Sequence, residues 1–451
     1  MFRFLIFSAA LTAIQVGART VSDPLFHSQA GQENLVEFNH VVKTDFSTLQ
    51  QIRDLTPESR QLYIRNTLQP LAKFIFGPAT RRSIGGPQRD EYILAHWTRA
   101  YVEESAVYLP ITYKAVWILD KSWVTGRQLR LPLPLRISDL FTPQWKKCTD
   151  SAPNHATPSF YWYFWDPARP GCDHVEGHHY KIVDFTIGTR TPNEEKSFPE
   201  YNRLFNADGS MSLTFAFGYV EDPADPYPDR DYDYGASQYR SFLAQMQRAL
   251  PSWRNEEISS DEYPESFVRA RTIGHRLTGE IGGVKIRINV VMSAGVDQIY
   301  LFAKSFAHDH DGFFSWMGHS RVGSGFDADK FQSLLVMKPD YYSISNRYQL
   351  VYWGGCNSYS YYTLPFFQLK AAASNGADPT GTKGLDIIAH GLPSYFALNA
   401  RNAMVLAKAL LNPPPRTSYQ SIIHDIEQGA LSMGRHVLAV VLGDEDNDLD
   451  F

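Results

Sequence analysis

The sequence predicts an α/β fold: a doubly wound, mostly parallel six-stranded sheet flanked by helices, preceded by an α+β N-terminal domain. Three observations carry this expectation. At 451 residues the chain exceeds one ordinary core, so two domains are expected. From about residue 209 onward, short apolar runs alternate with helical patterns, the mark of parallel βα units. Between Val107 and Arg190, extended runs follow one another as they do in antiparallel sheet.

Residues 1–18 form a signal-peptide pattern: Arg3, an apolar run from Phe4 to Ile14, and the small residues Gly17 and Ala18 before the cut. The run is shorter than the roughly 20 residues that span a bilayer. The mature protein is therefore expected to be exported, periplasmic or secreted, with no membrane span after signal removal. Hydrophobic residues at 43%, charged residues at 20% and a net charge of −5 fit a globular chain and give no reason to expect a nucleic-acid partner.

Residues 19–205 make the N-terminal domain, whose role stays open between propeptide, docking domain and adaptor. Ser47–Phe76 has helical spacing broken by Pro57 and Pro70, and strands are expected in Ala106–Trp123, Ser159–Pro167 and His179–Ile187. The acidic, proline- and tyrosine-rich stretch Val220–Gly235 reads as an exposed loop at the rim of a cleft.

Residues 206–451 make the second domain. Its strands are expected in Met211–Val220, Val284–Met292, Gly312–Gly318, Tyr348–Gly355, Leu385–Ala389 and Val437–Gly443. Helices are expected between and after them, several opened by a capping residue: Asp297, Asp327, Thr363, Ser394 and Ser418. A hairpin-like piece, Phe267–Gly283, interrupts the first crossover.

The chain has three cysteines, Cys148, Cys172 and Cys356. In an oxidising compartment an odd count leaves one thiol over. Cys148 and Cys172 flank a loop-strand-loop stretch and are expected to be bridged, leaving Cys356 free. Cys356 ends the fourth expected strand, and His319 ends the third. Open α/β sheets place ligands outside the carboxyl ends of their strands, and a thiol becomes a good nucleophile beside a base. Such a thiol is expected to titrate below its free value of about 8.5.

An apolar strand ending in His, followed by one ending in Gly-Cys, resembles the caspase-like cysteine peptidases, the group of legumains, gingipains, clostripain and separase. The resemblance covers about residues 209–442 and rests on GHS (Gly318–Ser320) and GGC (Gly354–Cys356). It implies Cys356 as nucleophile, His319 as general acid/base, backbone N–H groups around Gly318, Ser320 and Gly355 at the oxyanion, a peptide or protein substrate, and no cofactor. Where the family has glycine after the histidine, this chain has Ser320. Asn357 and His390 are expected to line the same cleft.

Other arrangements compete. His390, with Asn399 or Asn402, would give the Cys-then-His order of papain-like enzymes. The run Ala307–Gly312 packs two histidines and two aspartates but reads as a solvated turn, and Cys172–Tyr180 offers a looser ligand set than a closed zinc site demands. No metal is expected. The alternative from another functional class is an exported, non-catalytic binding or scaffold protein with a structural Cys356.

Overall fold

A computed structural model describes residues 26–443, except 89–91, 125–127, 151–156, 159, 191–195, 221–231, 260–261, 263–271, 294–296, 321–324 and 413–415. The signal-peptide pattern and most of the acidic loop lie outside the described residues. No helix among the described residues is long and apolar enough to cross a membrane.

The strands are, in chain order, β1 (Phe26–Ser28), β2 (Gly31–Lys43), β3 (Gly85–Pro87), β4 (Tyr92–Ala95), β5 (Tyr101–Glu103), β6 (Ala106–Asp120), β7 (Leu129–Pro134), β8 (Tyr180–Arg190) and β9 (Met211–Gly218). They continue with β10 (Arg254–Glu257), β11 (Thr272–Ile281), β12 (Val284–Ser293), β13 (Phe313–Met317), β14 (Gln349–Trp353), β15 (Leu385–His390) and β16 (Ala439–Leu442). They form two sheets, and the larger one corrects the expectation of a six-stranded, mostly parallel sheet in the second domain. One is a nine-stranded mixed sheet in the order β1-β16-β15-β14-β13-β9-β12-β11-β10. The other is wholly antiparallel, ordered β3-β6-β2-β8-β7, with β4 and β5 also paired to β6.

The expected strands exist, but their pairing differs for identifiable reasons. β12, β9, β13, β14 and β15 are parallel to one another. β16 runs antiparallel to β15 because two helices in series, Asn399–Leu411 and Tyr419–Leu431, return the chain to the opposite end of the sheet. On the other side, Gly282 and Gly283, both at positive φ (58° and 85°), make a two-residue turn that folds β11 back onto β12. β10 then adds to β11, and β1, from the N-terminal part, closes the far edge on β16.

Side chains along β13 alternate between two cores. Phe313 and Met317 face a cluster with Phe215, Phe242, Leu406 and Ile423, while Phe314 and Trp316 face one with Phe302, Trp353 and Phe366. Phe76, Ile118 and Tyr163 from the N-terminal part belong to the second cluster, so the two sheets share a core.

Locally, Asp327 and Ser418 cap their helices as expected. The helix expected from Thr363 instead starts at Ser358 and carries Pro365 inside it. The strand expected in Ser159–Pro167 is absent among the described residues: Tyr161–Phe164 forms one helical turn, packed so closely that a side chain at Gly77 would run into the Trp165 carbonyl.

Candidate functional site

Four adjacent parallel strands, β9, β13, β14 and β15, end on one side of the large sheet. Val220, His319, Cys356 and Ser394 follow these ends in that order. Gly354 continues the pairing by donating its N–H to the Trp316 carbonyl at 2.7 Å. Gly355 lies against the β13 end: any side chain there would meet Gly318 O at 3.2 Å and Ser320 N at 3.3 Å. The absence of a Cβ thus lets the Cys356 turn sit on the backbone that carries His319.

The chain reverses sharply at Cys356–Asn357. Asn357 has φ +50°, a left-handed conformation that asparagine tolerates better than most residues, and directly precedes the Ser358–Ala373 helix without a side-chain cap bond to it. Its backbone N–H donates to Leu392 O at 3.1 Å and its Nδ2 to Gly391 O at 3.0 Å. Its Oδ1 accepts from the Tyr163 hydroxyl at 2.5 Å. Ser358 Oγ donates to Trp353 O at 2.6 Å and accepts from His390 N at 2.8 Å. This side of the turn is therefore tied to β14, to β15 and to the N-terminal part.

Cys356 is half-buried and unpaired in a disulfide, with Sγ 3.8 Å from the Ser394 carbonyl. Burial pushes its thiol up, only partly offset by hydrogen bonding at Ser394 and by its own backbone N–H. The direction is opposite to the depressed thiol that the sequence suggests, because desolvation outweighs its polar neighbours.

His319 is half-buried with its ring edge on Phe396, centroids 5.1 Å apart. Its Nε2 lies 2.6 Å from the Val220 carbonyl. A carbonyl only accepts, so Nε2 carries the proton and a neutral ring keeps its lone pair on Nδ1. Val220 is itself held by the Asp233 carboxylate, which accepts its N–H at 3.1 Å and also caps the helix Tyr234–Ala249. No hydrogen bond joins His319 to Cys356 among the described residues. Backbone packing at Gly318, Ser320 and Gly355 brings the two strand ends together.

His390 is fully buried rather than at a cleft surface. Its Nε2 is 3.2 Å from the Tyr352 hydroxyl, which Asn402 Nδ2 also approaches at 3.0 Å, and burial presses the imidazole to about 3. Asn399 donates to Met317 O, so neither asparagine orients a base for Cys356. These placements remove the papain-like arrangement.

Cys148 and Cys172 are disulfide-bonded, as expected, with Cα atoms 4.6 Å apart. His174 approaches the same sulfurs, and these three form the only His/Cys/Asp/Glu group with metal-like spacing among the described residues. The ligand set does not fit a metal: both sulfurs are in the bridge, Trp165 Nε1 donates to His174 Nδ1, and His174 Nε2 contacts Leu140 O. The Ala307–Gly312 turn is less solvated than its sequence suggests. Asp311 is buried, accepting from Thr214 and Ser305 at 2.7 Å each and paired with Arg287 at 3.3 Å.

A surface cavity of about 710 Å³ lies between the helices Tyr234–Ala249 and Asn399–Leu411 and holds neither His319 nor Cys356. Sequence reasoning missed Val220, Asn357 as a clamp, and Tyr163. Only Asn357, an asparagine directly before an apolar helix, left a local signal. Comparison with family models, curated proteins and solved structures finds no match for this chain.

Proposed function

We propose that the protein is an exported cysteine hydrolase acting on peptides or proteins, the chemistry implied by its resemblance to caspase-like peptidases. One observation carries the reading: the Val220 carbonyl fixes His319 as the Nε2–H tautomer, leaving Nδ1 as a base at the strand end packed against the Cys356 turn. The thiol proton passes to Nδ1 as the sulfur attacks the substrate carbonyl carbon. Backbone N–H groups at Ser320 and Cys356 supply donors for the oxyanion. His319 returns the proton to the leaving amine, and water then hydrolyses the thioester, restoring the thiol.

The raised thiol and the absence of a hydrogen bond between His319 and Cys356 among the described residues favour a second reading, a binding protein with a structural cysteine. One experiment separates the two. Peptide hydrolysis is measured for the wild type, Cys356→Ala and His319→Ala. The hydrolase reading expects turnover to vanish in Cys356→Ala and to fall comparably in His319→Ala, because the pair acts as a unit. Full activity in Cys356→Ala gives the site to the binding reading.

A further inference from the structure

We propose that Tyr163 is a positioning residue for Cys356, so that the N-terminal part completes the site rather than merely preceding it. The inference rests on the reading of Cys356 as nucleophile and starts from the one strained non-glycine residue beside it. Asn357 holds φ +50° with its side chain fully buried, and a residue in that conformation persists only where its surroundings enforce it. Two of its bonds come from the β15 end, at Gly391 and Leu392. The third, to Oδ1, comes from Tyr163, 194 residues away in sequence.

Tyr163 is itself firmly placed. It is 7% exposed and stacks on Phe76, which stacks in turn on Tyr361 of the helix that follows Asn357. Its helical turn sits inside the loop closed by the Cys148–Cys172 bridge, and Asp166 N donates to Cys148 O at 2.8 Å. The bridge therefore fixes the segment that delivers the hydroxyl. A second tie, from Tyr359 to Glu33 of β2 at 2.7 Å, anchors the same helix to the N-terminal part. Without the Tyr163 hydroxyl, Asn357 Oδ1 loses its donor and the turn loses its bond to the N-terminal part. The sulfur sits one residue before that turn, and small misplacements of a reacting atom are costly.

The test uses the full chain carrying Tyr163→Phe, which keeps the ring and removes only the hydroxyl. Asn357→Gly suits the positive φ and removes the same bond from the other side, together with the Nδ2 bond to Gly391, so a result is still read if one variant fails to fold. Both are assayed for peptide turnover and for alkylation of Cys356 by iodoacetamide across pH. The expected result is a fall in kcat of about tenfold or more with KM changed less than about twofold. The double variant should be no worse than the poorer single. A kcat within about twofold of wild type in Tyr163→Phe overturns the proposal. If Cys356→Ala keeps turnover, the hydrolase reading has failed, and the alkylation arm decides alone. A midpoint moved by more than about 0.3 unit in Tyr163→Phe then supports positioning, and a smaller shift overturns it.

Discussion

Acidification should destabilise this protein through His390, and the size of the effect follows from its burial. The imidazole is fully buried and its pKa falls from 6.5 to about 3. Its Nε2 meets the Tyr352 hydroxyl, to which Asn402 Nδ2 also donates, and its Nδ1 has no hydrogen-bond partner among the described residues. A second proton would put an uncompensated charge into the core. Because the folded pKa is depressed, the unfolded chain binds more protons between pH 6.5 and 3. The contribution of neutral His390 is thus present above pH 6.5 and is lost as pH falls towards 3. Integrated between those values, the loss from pH 7 to pH 5 is about 2 kcal/mol for this group alone. His40, lowered to about 4 by burial, adds a loss of the same sign in every variant and cancels in a comparison. Urea unfolding of the wild type and His390→Gln at pH 7 and pH 5, followed by tryptophan fluorescence, isolates the term. The variant should lose about 2 kcal/mol less between the two pH values, whatever its stability at pH 7. An equal loss in both proteins would refute the reasoning.

The remaining predictions concern the thiol, the bridge and the core. Alkylation of Cys356 should speed up only as pH rises past the free-thiol value of about 8.5, since burial raises this group; a fast reaction at pH 6 would contradict that. Removing the bridge with Cys148→Ala and Cys172→Ala, which opens a loop with a separation of 24 residues, should cost about 3.5 kcal/mol in denaturant unfolding on the chain-entropy model. Phe302 packs against Phe306, Phe314 and Phe331 at 4.8 Å each, and Phe302→Ala should cost about 3–5 kcal/mol by the same measurement.

The parts of the fold that were legible in the sequence are those written in local periodicity. Each of the six expected apolar runs of the second domain overlaps a strand, and both His319 and Cys356 lie just past strand ends, because continuous apolar runs mark strands buried on both faces. Pairing was less legible. β10 reads Arg-Asn-Glu-Glu, a charged edge without alternation, and the direction of β16 depends on two helices lying in series. Aromatic residues at Ser159–Pro167 suggest a strand, but close packing of Trp165 against Gly77 takes them into a helical turn. The site's supports, Val220 and Tyr163, act through contacts spanning 99 and 194 residues, and no local pattern encodes these.

The placement of β1 bears on how the molecule can be cut. Residues 26–28 pair with β16 at one edge of the large sheet, while β2, starting only three residues later, belongs to the antiparallel sheet. Ser28 Oγ also donates to the Ala439 carbonyl at 2.6 Å. A single break in the backbone between the two parts would therefore not release the first as a leader. The fragments would stay together as a two-chain heterodimer, held by a strand contributed across the seam and by the tyrosine ties at Glu33 and Asn357. A nicked preparation should elute from gel filtration at the size of the intact chain and separate only in denaturant.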